Sequence, residues 1–592
     1  MVPVPSGAGA AEAAAPAKST LKRQQKIKRQ ETGYEQKRPY SRHKLHIFHG
    51  FRPRELHAGR RARIGAVMAH APASPIDCDL LIVGGGINGV GIARDAVGRG
   101  LRVVLCEQHD LAQHTSSAST KLIHGGLRYL EYYEFKLVRK ALQEREVLLR
   151  TAPHIMWPLR FVMPHDAAQR PSWMIRAGLF LYDHLARREF LPGSEGIALR
   201  GHPAGAPLKG SFSKGFVYSD GWVDDARLVV LNALDASERG ATILTRTPCT
   251  SVRREGDGWR ATLDSAERGR IEVQARAVVN AAGPWTGQFA AAALSAGRSY
   301  GLRLIKGSHI IVPRLFEHEY AYIFQNPDKR IIFAIPYQDE FTLIGTTDLE
   351  YTGEPGRVTI SSEETAYLCE MANRYFSRQI LPADVVGTYS GVRPLLDDNS
   401  SQASAITRDY LLECPDDAPP FLNIWGGKIT TYRKLAEEGV AMLQRRLGSD
   451  APDWTAKAPL PGGDLQFPGM LIERYDFAGF LRRFQGRHPW LPQTLAHRYA
   501  RNYGSRAEKM LGDAISVADL GIELAPGVYS REVQYLMQVE WARSAEDVLW
   551  RRTKCGLHSK PADVERLQQW MTQQSSGAQG SEDCAARQSV SH

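Results

Sequence analysis

The sequence lacks the features that define several large classes of protein. No apolar run approaches the length of about 18 residues that indicates a membrane-spanning helix. The seven cysteines are dispersed, with no CxxC pair and no metal-like spacing. An odd, scattered set argues for a reducing compartment and against a disulfide framework or a zinc site. We therefore expect neither a spanning helix nor a bound metal.

The excess of positive charge is confined to the N-terminal part of the chain. The net charge is +11, and residues 1–67 alone hold 15 Lys and Arg against 4 Asp and Glu, so the remainder is neutral. A basic segment of this kind can bind nucleic acid, anionic lipid or an import receptor. Because the neutral remainder adds nothing to a nucleic-acid interface, we expect no nucleic-acid partner. We interpret residues 1–67 as a disordered extension and Met68 as the native start.

Length and composition indicate two or three domains. With 592 residues, 43% of them apolar, the chain can bury sizeable cores. An α/β pattern begins near residue 77 and continues to about residue 455. Residues 466–572 carry apolar side chains at helical spacing, which predicts a small helical C-terminal domain. We expect a disordered tail over residues 573–592.

A glycine motif follows the first predicted strand. In "LLIVGGGINGVG", Gly84, Gly86 and Gly89 form a GxGxxG turn that opens a helix, and Asn88 lies within it. The first glycine permits the tight turn, the second lets the backbone approach a pyrophosphate, and the third allows close helix–strand packing. The helix N-terminus attracts phosphate. Glu107 ends the next strand, 18 residues after Gly89, where it can accept hydrogen bonds from a ribose. These features predict a bound dinucleotide.

The segment after the second strand favours FAD over NAD. The string "HDLAQHTSSASTKLIHGGLRY" is rich in small and hydroxyl-bearing residues and contains a double glycine. Such a segment suits close backbone approach to a large, flat ring system. The later strings "NAAGPW" and "GGKITT" supply two further places where glycine permits the same approach.

Eight strings, in order along the chain, together resemble a known family. They are GxGxxG with its acidic residue, "STKLIHGGLRYLE", "NAAGPW", "KGSHIIVP", "IGTTD", "SGVRPL", "ITRDY" and "GGKITTYRKLAE". This order resembles the FAD-dependent glycerol-3-phosphate dehydrogenases, respiratory enzymes of the D-amino-acid-oxidase-like flavoprotein superfamily. The resemblance covers about residues 77–570. Its specific parts are "KLIHGGLRYLE" and "GGKITTYRK", since GxGxxG occurs in many flavoproteins.

The resemblance implies which residues bind FAD and which face the substrate. Arg128 and Tyr129 would project toward the substrate pocket. The residues implied to bind the flavin are Ser119, Thr120, Lys121, Leu122, His124, Gly283, Gly427 and Thr430.

Several cations in the later strings point to an anionic substrate. Guanidinium groups match phosphate with two parallel hydrogen bonds. The chain offers Arg393 in "SGVRPL", Arg408 in "ITRDY" and Lys428 in "GGKITT", in glycine- or threonine-flanked settings. From the residues alone this is an anion site of unknown ligand. The resemblance implies sn-glycerol 3-phosphate or its product.

The implied reaction transfers a hydride from C2 of sn-glycerol 3-phosphate to FAD and yields dihydroxyacetone phosphate. Loss of the C2 hydroxyl proton requires a base. His309 in "KGSHIIVP" is the candidate, because imidazole has a suitable pKa. A core histidine without a catalytic role, an arginine or a solvent-mediated route are the alternatives. The alternative function is an amine or amino-acid oxidase of the same superfamily, which needs fewer cations.

We expect an α/β fold with three parts. A Rossmann-like FAD-binding domain spans residues 77–455, with a mixed or antiparallel substrate sheet inserted at about 146–220 and 300–390, and an all-α domain follows. The resemblance implies membrane quinone as the electron acceptor and a cytoplasmic, peripheral position on the inner face of a bacterial cytoplasmic membrane. The lack of a DxDxDG calcium loop departs from the animal mitochondrial form and favours a bacterial one. The sequence leaves the oligomeric state open, with a homodimer as one option.

Overall fold

The computed structural model describes residues 75–166, 170–294, 301–328, 330–397, 409–416, 419–465 and 476–589. The predicted extension over residues 1–67, the predicted start at Met68 and the predicted site residue Arg408 lie outside the described residues.

The strands of the described residues, numbered along the chain, form two large sheets and one hairpin. They are β1 (Ile76–Val83), β2 (Val103–Cys106), β3 (Leu122–Ile123), β4 (Met156–His165), β5 (Glu195–Ala198), β6 (Lys214–Val223), β7 (Thr242–Leu244), β8 (Cys249–Glu255), β9 (Gly258–Ser265), β10 (Gly269–Asn280), β11 (Leu302–Pro313), β12 (Ala321–Gln325), β13 (Ile331–Tyr337), β14 (Phe341–Gly345), β15 (Leu349–Glu350), β16 (Gly387–Leu396), β17 (Tyr410–Glu413), β18 (Phe421–Gly426), β19 (Glu523–Ala525) and β20 (Val528–Tyr529).

The α-helices pack on the faces of the sheets or form the C-terminal domain. They are α1 (Ile87–Gly98), α2 (Phe135–Thr151), α3 (Ser172–His184), α4 (Asp225–Glu238), α5 (Thr286–Ala293), α6 (Ser362–Tyr375), α7 (Tyr432–Leu447), α8 (Phe477–Arg487), α9 (Gln493–Tyr503), α10 (Ala507–Leu511), α11 (Ser530–Val539) and α12 (Pro561–Ser589). Within the described ranges, none of the helices combines the length and the apolarity needed to cross a membrane.

The first sheet forms the FAD-binding domain. Its strand order is β17–β18–β10–β1–β2–β7, and the strands from β18 to β7 pair in parallel. β2 is a continuous apolar run, and β1 is one from Leu80 to Val83, as expected of parallel strands that are covered on both faces. Helices α1, α4 and α7 bury one face, and β8, β9 and α5 lie on the other side. The predicted Rossmann-like α/β class is confirmed.

The second sheet is mixed and mostly antiparallel. Its order is β15–β11–β14–β13–β12–β4–β6–β3, with β16 beside β11 and β5 beside β6. Only β12 and β4 pair in parallel among its described strands. The sheet begins earlier than the predicted insertion, because the short β3 inside "KLIHGG" pairs with β6. This pairing attaches the glycine-rich string to the second sheet.

The C-terminal domain buries its own apolar core among helices α8 to α12 and also contains the β19–β20 hairpin. Helix α12 continues to Ser589, whereas we expected a disordered tail from residue 573. Leu567 and Met571 are buried in the domain core and fix the first turns of this helix. Once a helix is nucleated, each added residue costs little, so α12 extends through the Ala, Gln and Glu of the tail despite Gly577 and Gly580.

Candidate active site

The turn between β1 and α1 requires glycine for steric reasons. Gly84 has φ +116°, and a Cβ there would lie 2.4 Å from the Ala281 carbonyl oxygen. A Cβ at Gly89 would lie 1.9 Å from the Gly84 carbonyl oxygen. At Gly86, the N-cap of α1, a Cβ would meet only Ser116 Oγ, at 3.1 Å. The second glycine therefore keeps open the space in front of the helix N-terminus, where a pyrophosphate can approach.

Glu107 lies at the C-terminal end of β2 and lines a cavity of about 330 Å³. Its Oε2 accepts a hydrogen bond from Gly85 N at 2.6 Å, and its Oε1 accepts one from His109 N at 2.8 Å. Burial raises the pKa of Glu107, and these backbone donors oppose the shift. A carboxylate offers about four acceptor positions, so a ribose diol can still bind. The rings of His114 and Trp285 lie against each other in the same cavity.

A second cavity, of about 690 Å³, adjoins the first and shares Gly86, Ser116 and Gly283 with it. It collects most of the predicted site residues, although they come from distant parts of the chain. Those that line it are Gly86, Asn88, Ser119, Thr120, Leu122, His124, Arg128, Tyr129, Gly283, His309, Arg393, Gly427, Lys428 and Thr430. Gly84 and Glu107 line the smaller cavity, and Gly89 packs behind the turn.

The double glycine of "KLIHGGLRY" serves packing as well as the cavity. A Cβ at Gly125 would lie 2.5 Å from the Leu142 side chain on α2, so this glycine is required by the neighbouring helix. Gly126 has φ +77° and lines the cavity. The left-handed residue starts a short 3₁₀ turn that presents Arg128 and Tyr129 to the cavity.

Lys121 is the predicted flavin-binding residue whose side chain does not line either cavity. It is buried, and its Nζ donates to both carboxylate oxygens of Asp225, at 2.9 and 3.1 Å. Asp225 also accepts from Ser119 Oγ at 2.8 Å. Burial lowers the pKa of Lys121, and Asp225 opposes that shift. The ion pair thus holds the Ser119–Thr120 backbone against the cavity from behind.

Four cations line the larger cavity, and three of them, Arg128, Arg393 and Lys428, belong to the predicted site residues. Arg393 Nη1 donates to Asp348 Oδ1 at 2.5 Å, and its Nη2 donates to Thr346 Oγ1 at 3.2 Å. Lys428 Nζ lies 4.0 Å from the centroid of the Tyr129 ring. Arg128 has no hydrogen-bonding or ionic partner among the described residues. A cavity wall with one fixed guanidinium and one unpaired guanidinium is suited to an anion.

His309 is fully buried and also reaches the larger cavity. Its Nε2 lies 3.0 Å from Thr120 Oγ1, and its ring stacks on Tyr389 with centroids 4.6 Å apart. Within the described part of the chain, His309 Nδ1 has no hydrogen-bond partner. Burial, with added repulsion from Lys121 and Arg393, holds the pKa of His309 well below its usual value. The imidazole is therefore neutral at pH 7 and can accept a proton, although its basicity is lower than an exposed imidazole would have.

Sequence reasoning missed four residues that support this wall. Asp348 and Thr346 fix Arg393, Asp225 fixes the Ser119 loop, and Tyr389 stacks on His309 and donates its hydroxyl to Ser119 O. Two signals were present, since Thr346 and Asp348 lie in "IGTTD" and Tyr389 directly precedes "SGVRPL". Neither string shows which partner its residue meets.

The two adjoining cavities fit an FAD molecule. The carboxylate of Glu107 stands at one end, and the N-terminus of α1, which lacks a side-chain cap, stands in the middle. Asn88 Oδ1 is buried beside that N-terminus without a hydrogen-bond partner among the described residues. Ser119 and Thr120, whose side chains carry hydroxyl groups, line the other end. From the Glu107 end to the Ser119 end, these groups suit a ribose, then a pyrophosphate, then a flavin ring.

Comparison with known proteins agrees with this geometry. The FAD dependent oxidoreductase family matches residues 79–433. The chain belongs to the FAD-dependent oxidoreductases. The C-terminal domain of alpha-glycerophosphate oxidase matches residues 454–573, which corresponds to the helical part of the fold.

Three similar proteins indicate which of the FAD-dependent oxidoreductases this chain resembles. Glycerol-3-phosphate dehydrogenase of Pseudomonas aeruginosa is 55% identical, covering 85% of this chain and 97% of that protein. D-erythritol 1-phosphate dehydrogenase of Brucella abortus is 49% identical, covering 84% of this chain and 98% of that protein. The crystal structure of glycerol-3-phosphate dehydrogenase from Bacillus halodurans complexed with FAD has a TM-score of 0.67 at 26% identity, covering 84% of this chain and 90% of that one. The predicted resemblance is confirmed, and FAD is the cofactor of this dehydrogenase.

Proposed function

We propose that this FAD-dependent dehydrogenase oxidises sn-glycerol 3-phosphate to dihydroxyacetone phosphate and passes the electrons to membrane quinone. One observation carries the proposal. Arg128, Arg393 and Lys428 line the same cavity as His309 and the flavin-binding backbone, so a phosphate and an oxidisable carbon can be held together.

The three cations supply the phosphate-binding end. A guanidinium group offers two parallel donors to a phosphate, and Lys adds a point charge. Asp348 fixes the orientation of Arg393, which reduces the rotamer entropy lost when the substrate binds. Arg128 has no competing partner in the described part of the chain, so its guanidinium is available to the dianion. An amino-acid substrate, with one carboxylate, would not need all three.

His309 is the candidate acceptor of the C2 hydroxyl proton. When Nε2 carries the ring proton and donates to Thr120 Oγ1, Nδ1 is an unprotonated acceptor. The nearby cations, Lys121 and Arg393, also favour the alkoxide character that develops as this proton leaves. When bound, FAD supplies the redox chemistry, accepting the hydride from C2 and passing the electrons to the terminal acceptor.

An apolar part of the larger cavity supports quinone as that acceptor. Leu127, Leu130, Phe135, Ile175 and Leu181 line this part, and the last two belong to α3. It has the aliphatic and aromatic lining expected of a site for an apolar ring with a hydrocarbon chain.

The outer surface of α3 supports a peripheral position on the inner face of a bacterial cytoplasmic membrane. Trp173 is 70% exposed, Phe180 is 59% exposed and nearby Tyr133 is 80% exposed. A shallow depression at the end of the helix is lined by Arg139, His184, Arg187 and Arg188, together with Asp183. Exposed aromatics flanked by basic side chains are the composition of a helix that lies in an anionic lipid interface.

The substrate proposal is tested by steady-state kinetics of the purified, FAD-loaded protein with an artificial electron acceptor. Sn-glycerol 3-phosphate should give the highest kcat/KM. D-erythritol 1-phosphate is the second candidate, because a relative of 49% identity is named for it. A higher kcat/KM with D-erythritol 1-phosphate would replace the proposed substrate, and turnover only with amino acids would overturn the phosphate-binding role of the three cations.

The membrane proposal is tested with a Trp173→Ser/Phe180→Ser double variant. We expect it to lose cosedimentation with vesicles of anionic phospholipid and to lose activity with vesicle-borne quinone, while activity with the artificial acceptor stays near that of the unaltered protein. Ile515→Ser is the matched control, since Ile515 is an exposed apolar residue of the C-terminal domain. If the control variant detaches and the double variant does not, α3 is not the contact surface.

A further inference from the structure

A buried carboxylate in the loop after β2 takes its counter-charges from the C-terminal domain. Asp110 is 1% exposed. Arg551 Nε donates to Asp110 Oδ2 at 2.7 Å, and Arg552 donates to both oxygens, with 2.9 Å between Nη2 and Oδ1. The nearest cation of the FAD-binding domain is Arg246, whose Nη1 lies 3.9 Å from Oδ1. Without the two arginines, Asp110 would be a buried charge with one distant partner.

The loop that contains Asp110 forms the wall of the smaller cavity. Asp110 follows Glu107, the predicted ribose-binding residue, by three positions. Asp110 N donates to Gln113 Oε1 at 3.1 Å, and Gln113 lines the cavity together with His114. The position of Asp110 therefore sets the position of the wall that faces the adenosine half of FAD.

The π-helical turn Asp547–Arg552 directs both arginines at this loop. A reciprocal ion pair accompanies them, since Arg246 Nη2 donates to Asp547 Oδ2 at 2.5 Å. Arg246 N in turn donates to His109 O at 2.8 Å, inside the same loop. Arg246 and neighbouring arginines overcome the effect of burial and hold the pKa of Asp547 below its usual value.

A second contact from the same segment reaches the flavin end. Lys554 Nζ lies 3.1 Å from Asp224 Oδ1. Asp224 precedes Asp225, which binds Lys121 and Ser119 behind the larger cavity. Although burial raises the pKa of Asp224, Lys554 and Lys121 outweigh it and hold that pKa below its usual value.

We propose that residues 547–554 of the C-terminal domain, the docking segment, form part of the FAD-binding apparatus. Arg551 and Arg552 position the adenosine-side wall through Asp110, and Lys554 supports the flavin-side wall through Asp224. Removing one partner of a buried ion pair leaves an uncompensated charge, which is strongly unfavourable. The two walls of the FAD site are therefore completed by charges from a separate domain, and the docking segment is a positioning element that need not touch the cofactor.

The first test is Arg552→Met in the full chain, with ADP as a probe for the adenosine half. After removal of FAD, we expect the apoprotein to bind both FAD and ADP about tenfold more weakly or worse, the range expected for loss of hydrogen bonds to a charged group. Isothermal titration of the folded apoprotein measures both affinities. Wild-type affinity for both ligands in a folded Arg552→Met protein would overturn the proposal.

Substitutions at the two ends of the docking segment should have different effects on ADP and FAD binding. Lys554→Met is expected to leave ADP affinity within about twofold of wild type, yet to speed FAD release and change the flavin absorbance spectrum, because it acts at the flavin end. Equal weakening of ADP binding by Lys554→Met and Arg552→Met would contradict separate roles for the two contacts.

Arg498→Met is the control for general destabilisation. Arg498 pairs with buried Glu532 inside the C-terminal domain and does not reach the FAD-binding domain. We expect a lower Tm with unchanged ADP and FAD affinities. If Arg498→Met weakens ADP binding as much as Arg552→Met does, the effect is one of stability and the proposal fails. Should Arg552→Met not fold, Arg551→Met leaves the two-oxygen contact of Arg552 in place, and unchanged ADP affinity in that variant would also overturn the proposal.

Discussion

At the cofactor end of the site, Gly84, Gly86 and Gly89 come from six consecutive residues, whereas at the substrate end Arg128, His309 and Arg393 lie more than 80 positions apart in the chain. The cofactor end is constrained by steric contacts within one turn. The substrate end is constrained by charge, and its residues Arg393 and His309 are held by partners from another strand or loop. Substitutions at the cofactor end should therefore abolish FAD binding, and substitutions at the substrate end should lower kcat/KM by amounts that differ from residue to residue.

The largest effect is expected for Gly89→Val at the cofactor end. A Cβ at this position would lie 1.9 Å from the Gly84 carbonyl oxygen, so α1 cannot keep its packing against β1. We expect FAD content, measured by absorbance of the purified protein, to fall to background and activity to be lost. Gly486→Ala is the matched control, because this helical glycine has open space around it. A Gly89→Val protein that retains stoichiometric FAD would show that the turn is less constrained than its geometry indicates.

At the substrate end, Arg393→Met should lower kcat/KM for sn-glycerol 3-phosphate about 100-fold while FAD content stays normal. The magnitude follows from about 1.5–3 kcal/mol for a hydrogen bond to a charged group. Steady-state kinetics with an artificial acceptor measure it. Arg303→Met is the control, since Arg303 lies on the adjacent strand β11 and pairs with exposed Glu350 outside the cavity. Equal losses in both variants would remove Arg393 from the substrate site.

A smaller effect, about tenfold on kcat/KM, is expected for Asp348→Asn. Asp348 orients Arg393 without providing positive charge itself, and Thr346 retains a second contact to the guanidinium. Asp328→Asn is the comparison, because Asp328 forms an exposed pair with Arg330 in the turn between β12 and β13. An increase in kcat/KM would mean that Asp348 mainly weakens phosphate binding by partial neutralisation.

The smallest effect is a shift in the acid limb of kcat/KM against pH. Burial first, and then Lys121 and Arg393, lower the pKa of His309. A base at this position therefore loses activity only when the pH falls below about 6.5, the ordinary pKa of histidine. Arg393→Met removes one lowering charge and should move the acid limb to higher pH, with less effect than burial. A limb that stays in place, or moves to lower pH, would mean that His309 is not the group that titrates.

The sequence predicted the cofactor end in more detail than the substrate end, for a physical reason. Gly84, Gly86 and Glu107 belong to one strand–helix–strand unit, whose geometry follows from local backbone rules. The partners of Arg393 and Lys121 depend on strand pairing over long distances, which no local pattern encodes. For the same reason Gly125 was assigned to flavin approach, whereas its neighbour on α2 requires it.

The proposed function requires that the phosphate-binding cations and the FAD-binding residues form a single site. Anaerobic mixing of the FAD-loaded protein with sn-glycerol 3-phosphate tests it directly, with glycerol as the comparison that lacks a phosphate. We expect flavin absorbance to bleach at a rate that saturates with the concentration of sn-glycerol 3-phosphate, and we expect glycerol to reduce the flavin far more slowly. Equal rates with the two compounds, or no bleaching by sn-glycerol 3-phosphate, would contradict it.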